Sequence, residues 1–218
     1  MLTNLIEANY KNNKFGLFII YGQQGIGKSS YCLLVLNELG LNWKEHLYFR
    51  PKEFLDRIAD AYKNRERLKV LVLDDGGYNL SCYDWNNPFV RQFVKFITLP
   101  RHVVANVLIT TPSPSMLVKK IRTLDSYFVK VVKDSDKHHP LRRLAKGYKS
   151  NFLPSGYRYF RLVYEDTFSL NQLDLSIYKQ YEEYRYSYIA DAIEGMVLAL
   201  KEQEKKMEDE SRSSFIPP

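Results

Sequence analysis

The chain has 218 residues, of which 45% are hydrophobic, and 32 Lys+Arg against 25 Asp+Glu give a formal net charge of +7. That is enough apolar content for one well-packed domain with appendages and too short a chain for two full domains. No stretch approaches the ~18 apolar residues of a membrane span, and Glu7 and Asn9 precede any apolar run, so neither a signal peptide nor a membrane anchor is expected.

The basic balance favours a polyanionic partner such as nucleic acid. Cys32 and Cys82 have no Cys or His nearby at metal-ligand spacing. They read as buried free thiols in a reducing, intracellular setting, with the cytoplasm as the expected location. His138 and His139 lack a second ligand pair for zinc.

In chain order, residues 15–21 (FGLFIIY) form a short continuous apolar run that stops at a glycine-rich turn, the pattern of a strand buried on both faces. Lys28 to Leu39 reads as a helix with Gly40 as its stop. Residues 47–49 suit a short strand, and Lys52 to Leu68 a helix with Phe54, Leu55, Ile58, Ala59 and Tyr62 on one face. Residues 70–73 (VLVL) form a buried strand that ends in Asp74-Asp75. A polar, aromatic loop from Gly76 to Pro88 precedes a helix over Phe89–Leu99.

Val103 to Thr111 is a further strand closed by Pro112 and Pro114, followed by a helix over Ser115–Leu124 and a strand over Tyr127–Lys133. Strands alternating with helices at this spacing predict an α/β fold of three layers around a mostly parallel sheet. After residue 134 the pattern changes. Residues 142–149 and 157–165 are strand-like and flank Pro154-Ser155-Gly156, which predicts a β-hairpin. A long helix runs from Ser176 to about Met207, with Ile177, Tyr181, Tyr184, Tyr188, Ala192 and Met196 as a stripe. The expected organisation is a core over 1–134, the hairpin and helix over 135–208, and a disordered tail over 209–218.

Gly22-Gln23-Gln24-Gly25-Ile26-Gly27-Lys28-Ser29 matches G-x-x-x-x-G-K-[ST] at every position. Glycines let backbone N–H groups turn inward around phosphate oxygens, and the following helix points its positive end at the same anion. Lys28 then contacts the β- and γ-phosphates, and Ser29 with its neighbour Ser30 lies at the phosphate and Mg²⁺. The expected ligand is Mg-ATP. Asp74, first after the apolar run, is the expected second holder of Mg²⁺, and Asp75 the residue that orients water for attack. Thr110 or Thr111, at the end of the third strand, is expected to sense the γ-phosphate. Arg122 is the candidate arginine finger in trans, with Arg101 as second choice.

The order of these motifs resembles that of P-loop ATPases of the additional-strand class, of AAA+ type. VLVLDDGG, the later LITTP and Arg122 are similar to those of replication initiators and helicase loaders. The Lys-, Asn- and Tyr-rich composition and the loop Tyr78–Trp85 resemble ATPases of archaeal viruses and plasmids. The resemblance covers residues 15 to about 133. It implies ATP hydrolysis at a subunit interface of a homo-oligomer, action on DNA, and a protein partner such as a helicase. A hairpin and one long helix stand where AAA+ proteins carry a helical lid, which keeps DNA packaging or transfer motors and a nucleotide-gated protein switch as alternatives.

Residues 119–149 hold ten Lys/Arg (Lys119, Lys120, Arg122, Lys130, Lys133, Lys137, Arg142, Arg143, Lys146, Lys149) against Asp125, Asp134 and Asp136. This segment is the expected DNA contact. The aromatics close behind it, Tyr148, Phe152, Tyr157, Tyr159 and Phe160, read as the packed core of the hairpin.

Overall fold

The computed structural model describes residues 2–136 and 138–213, with only the helical backbone described over 206–213. Lys137 and the tail from 214 to 218 lie outside the described residues. The chain divides into two compact units, one ending at Asp174 and one beginning at Leu175.

The first unit is built on the apolar runs. β1 (Gly16–Tyr21), β3 (Leu71–Leu73) and β4 (Asn106–Thr111) are buried over almost their whole length. Strands without a polar face need cover on both sides, and the crossover helices supply it. β1 pairs in parallel with β4 and with β5 (Tyr127–Lys133), and β3 pairs in parallel with β4 and with β2 (Leu47–Tyr48). β6 (Arg142–Phe152) and β7 (Arg158–Ser169) then extend the same sheet antiparallel, giving the order β2-β3-β4-β1-β5-β6-β7. β4 therefore lies between β1, which leads into the glycine-rich loop, and β3, which ends at Asp74.

One face of the sheet (Leu17, Ile19, Leu71, Leu73, Val107, Ile109) packs on α3 (Pro51–Lys63), α5 (Pro88–Phe96) and α6 (Lys119–Arg122) through Phe54, Ile58, Phe93 and Ile121. Each ring buried there stabilises by about 1.5–3 kcal/mol. The other face lies under α1 (Leu2–Lys11) and α2 (Lys28–Glu38). Helix α1 has no counterpart among the sequence-based expectations. It is tied down by side-chain amides: Asn9 Nδ2 donates to Asn106 Oδ1 at 2.8 Å, and Asn106 Nδ2 donates to Ile6 O at 3.1 Å.

Several expectations change. The helix over Ser115–Leu124 shrinks to the four residues of α6, because Leu117 and Val118 are drawn into extended backbone: Leu117 bridges Ser81, and Val118 N–H donates to Leu80 O at 3.0 Å. The helix over Lys52–Leu68 ends at Lys63, before Arg65 at φ 52°. Cys82 is half-buried, whereas Cys32 is fully buried. The second unit is the helix α7 (Leu175–Ser213), whose far half exposes Ile193, Met196, Leu198 and Leu200.

Candidate nucleotide-binding site

The loop Gly22–Gly27 leaves β1 and turns directly into α2. Gly27 caps that helix at φ 105°, a conformation open to glycine at little cost. A Cβ there would also come within 2.5 Å of Leu170 Cδ2, and one on Gly22 within 2.5 Å of Val131 O. The loop thus lies hard against the ends of β5 and β7, leaving no room for side chains at those two positions. Lys28 is buried, and its Nζ donates to Gly22 O and Gln23 O at 3.0 Å each. The N–H groups of the first turn of α2 meet at this loop and offer backbone donors to an anion. Gln23, Gln24 and Gly25 are exposed at its rim, Ile26 is buried, and Ser29 and Ser30 are half-buried.

The second half of the site is one carboxylate. The register Leu73↔Ile109 sets Asp74 beside Thr110 at the ends of adjacent strands. Asp74 is fully buried. Its Oδ1 accepts from the Ser29 hydroxyl at 3.2 Å and from the Thr110 hydroxyl. The N–H of Asp75 donates to Thr110 Oγ1 at 2.9 Å and to Asp74 Oδ1 at 3.2 Å. Asp75 is itself at φ 51°, one of three non-glycine residues with positive φ among those described. Such a conformation costs free energy and persists where its surroundings impose it. Here the imposing contact is α4 (Gly76–Asn79), whose Gly76 approaches β4 so closely that a Cβ would run into Ile109.

Of the two threonines, only Thr110 meets Asp74; the Thr111 hydroxyl donates to Ser113 O at 2.9 Å. Below the site, burial pushes the Cys32 thiol well above its usual range, the charge of Asp74 adds to this, and Lys28 opposes it. The donor set of hydroxyls and one carboxylate is all oxygen, which suits a hard cation such as Mg²⁺. Among the described residues no group of three or more His, Cys, Asp or Glu is placed to hold a metal.

The remaining candidate stands apart. Arg122 makes no hydrogen bond or ion pair to the loop or to Asp74, Asp75 or Thr110; its carbonyl accepts from Arg158 Nη1 at 2.6 Å, and its Nε is buried without a partner.

A residue counted with the basic segment belongs here instead. Arg143 is buried, and its Nε donates to Ile26 O at 3.0 Å, while Nη1 donates to Pro140 O at 2.7 Å and to Arg142 O at 2.9 Å. It braces the outer side of the phosphate loop from β6. Its sequence signal was alternation: Arg143, Ala145 and Gly147 share the covered face of β6.

The rest of the basic segment is partly neutralised, by acids within it and by Glu165 from β7. Lys146 meets Glu165 at 2.9 Å, Lys149 meets Asp125 at 2.6 Å, and Arg142 meets Asp134 at 3.0 Å. Lys119, Lys120, Lys130 and Lys133 are exposed and in no ion pair among the described residues.

A mostly parallel sheet whose first strand turns through G-x-x-x-x-G-K-S into a helix, with a second strand ending in a buried aspartate that meets the loop serine, is the fold of a P-loop NTPase. No protein-family profile matches the chain. It is 33% identical over 132 residues to the uncharacterised protein B-251 of Sulfolobus spindle-shape virus 1, covering 55% of this chain and 52% of that protein. It is 27% identical over 121 residues to the uncharacterised protein ORF286 of Acidianus two-tailed virus, covering 53% of this chain and 42% of that protein. The chain spans about half the length of the curated relatives it matches.

Among solved structures it is similar to the N-terminal domain of zonular occludens toxin from Neisseria meningitidis, with TM-score 0.41 and 12% identity over 70% of this chain and 95% of that one. It is also similar to the genome packaging NTPase B204 of Sulfolobus turreted icosahedral virus 2, solved with ATP-gammaS, with TM-score 0.39 and 10% identity over 69% of this chain and 98% of that one. No described helix is long and apolar enough to cross a membrane.

Proposed function

We propose that this chain binds Mg-ATP in the loop Gly22–Ser29 and hydrolyses it in the service of DNA replication or maintenance of a virus or plasmid. The observation that carries the reading is the meeting of Ser29, the residue after Lys28, and Thr110 on one buried oxygen of Asp74. Bound Mg²⁺ would neutralise charge on the phosphates and would be held by Ser29 and Asp74. Lys28, now resting on two loop carbonyls, is the residue that exchanges those bonds for phosphate oxygens. Thr110 fixes the Asp74 carboxylate and the Asp75 backbone together, so it links metal holder and water-orienting residue. Asp75 accepts a proton from the attacking water, as a general base at the strand end.

The insertion of β4 between β1 and β3 supports the additional-strand reading of AAA+ type. Sequence similarity to two viral proteins supports a viral setting, and so a host cytoplasm. DNA contact is supported by the four unpaired lysines Lys119, Lys120, Lys130 and Lys133, and Arg122 remains the proposed finger toward a second copy in a homo-oligomer. A helicase or other replication factor is the proposed protein partner.

Steady-state ATP hydrolysis with and without single- and double-stranded DNA tests this, with Lys28→Ala as the blank. Turnover above the blank that rises several-fold with DNA is expected. ATP binding without turnover, indifferent to DNA, would move the assignment to a nucleotide-gated protein switch.

A further inference from the structure

The far end of the β6–β7 hairpin differs from what its sequence predicts. Its aromatics were expected to be core, yet Phe152 is 50% exposed, Tyr157 67% and Phe160 51%. Exposed apolar side chains occurring singly are ordinary, but a contiguous set marks a surface with a partner.

Phe152 and Phe160 are exposed without being loose. Pairing of Phe152 with Arg158 and of Ser150 with Phe160 sets all four side chains on one face of the hairpin. The Arg158 guanidinium lies 5.5 Å from the Phe152 ring, 5.0 Å from Phe160 and 5.0 Å from Phe128. Its own N–H groups donate to Ser150 Oγ at 2.7 Å and to Arg122 O at 2.6 Å, so the cation is locked and the rings are locked around it. Phe160 also stands edge-on to Phe128, with centroids 5.2 Å apart. Rings held in place before a ligand arrives lose little entropy when it binds.

The chemistry of the ligand follows from charge. Residues 149–164 contain Lys149, Arg158 and Arg161 and no Asp or Glu. Arg161 is exposed and in no ion pair among the described residues. An aromatic surface with cations in the same segment suits a polyanion with flat apolar groups, and the carboxylate beside it, Asp125, is held by Lys149 at 2.6 Å. Bases offer such faces only when unstacked, which selects a single strand over a duplex.

We propose that the end of the β6–β7 hairpin is a stacking platform for the unpaired bases of a single-stranded nucleic acid. Phe152 and Phe160 on one face and Tyr157 at the turn receive bases, and the unpaired lysines, with Arg161 on the other face of β7, meet the flanking phosphates. The proposal rests on the reading that this ATPase acts on DNA and adds to it the strand form and the contact surface.

The test is fluorescence anisotropy of the full chain with a labelled oligothymidine about 16 nucleotides long, beside a duplex of mixed sequence. Tyr157→Ala and Phe160→Ala are each expected to weaken single-strand binding about 5- to 100-fold, the value of one base–aromatic stack, and to leave duplex binding and DNA-free ATP turnover unchanged. Phe160→Tyr, which keeps a ring, is expected to restore binding. Unchanged oligothymidine affinity in both alanine variants would overturn the platform and leave the ATPase reading standing. A wild-type chain that turns over ATP but binds neither form of DNA would overturn both the platform and the DNA role. Alanine variants that lower the particle mass in light scattering while keeping oligothymidine affinity would make the patch a contact between copies of this chain, and so overturn the proposal.

Discussion

The two ends of this sheet treat their awkward residues in opposite ways. Around β1, β3 and β4, charged and polar groups (Lys28, Asp74, Thr110) are buried and hydrogen-bonded, Asp74 and Thr110 to each other and Lys28 to the loop carbonyls. Along the far end of β6 and β7, aromatic rings stand in solvent, ordered by one arginine. Burying charge is costly unless every group is paired, so the first region is rigid and intolerant of substitution. Exposed rings cost little structure when removed, so the second is free to vary without unfolding the chain. On the proposed reading, the first region places charge against a small ligand and the second displays surface to a large one.

The sharpest way to break that comparison is at Asp75. Asp75→Asn is expected to cut turnover about 100-fold or more while leaving nucleotide affinity within a few-fold, measured by single-turnover hydrolysis beside equilibrium binding of a labelled nucleotide. Equal turnover in variant and wild type would remove Asp75 from the chemistry.

The threonine pair sharpens it further. Thr110→Val is expected to lower turnover about 10- to 100-fold, the value of a hydrogen bond to a charged group, whereas Thr111→Val is expected to change it little, since that hydroxyl serves Ser113. Equal effects at both positions would contradict the assignment of the sensor role to Thr110.

Arg143 joins the two regions, because it sits on β6 and braces the loop. Arg143→Ala is expected to raise the KM for ATP about 10-fold with a smaller change in kcat, as for a buried charged hydrogen bond that positions the loop. Arg143→Lys is expected to recover part of that loss, since an ammonium cannot serve three carbonyls in one plane. A fall in kcat alone would place Arg143 in the chemistry.

The smallest effect concerns pH. Burial lowers the His46 pKa below its ordinary value, and its Nδ1 lies 2.9 Å from Asn42 O. Above about pH 7 both folded and unfolded chains hold it neutral. As pH falls through about 6.5 the unfolded chain takes up a proton that the folded chain resists, so stability drops with acid. A melting temperature that declines more steeply below this pH in wild type than in His46→Gln is the expected result; parallel curves would show that other groups govern the acid limb.

Much of the parallel half was legible because its signals are local. An apolar run must become a buried strand, glycines at fixed spacing must turn, and Lys28 opens the helix that follows. Asp74 was legible as the first polar residue after VLVL for the same reason. Helix α1 was not legible, because what holds it is the distant amide of Asn106. The helix expected over Ser115–Leu124 was mostly lost because Val118 found Leu80 across the fold, a bond of long sequence separation that no local propensity reports.

By itself, then, the sequence determined the phosphate loop, the acidic strand end and the alternation of strands and helices, since each depends on residues within one turn or one strand of one another. Only the tertiary structure brought Thr110, and not Thr111, to Asp74, because that meeting is a matter of register between β3 and β4. It also moved Arg143 from the basic surface to the loop, brought Glu165 to Lys146, and left Phe152, Tyr157 and Phe160 in solvent. Burial and pairing are properties of what comes near in space, and a count along the chain does not contain them.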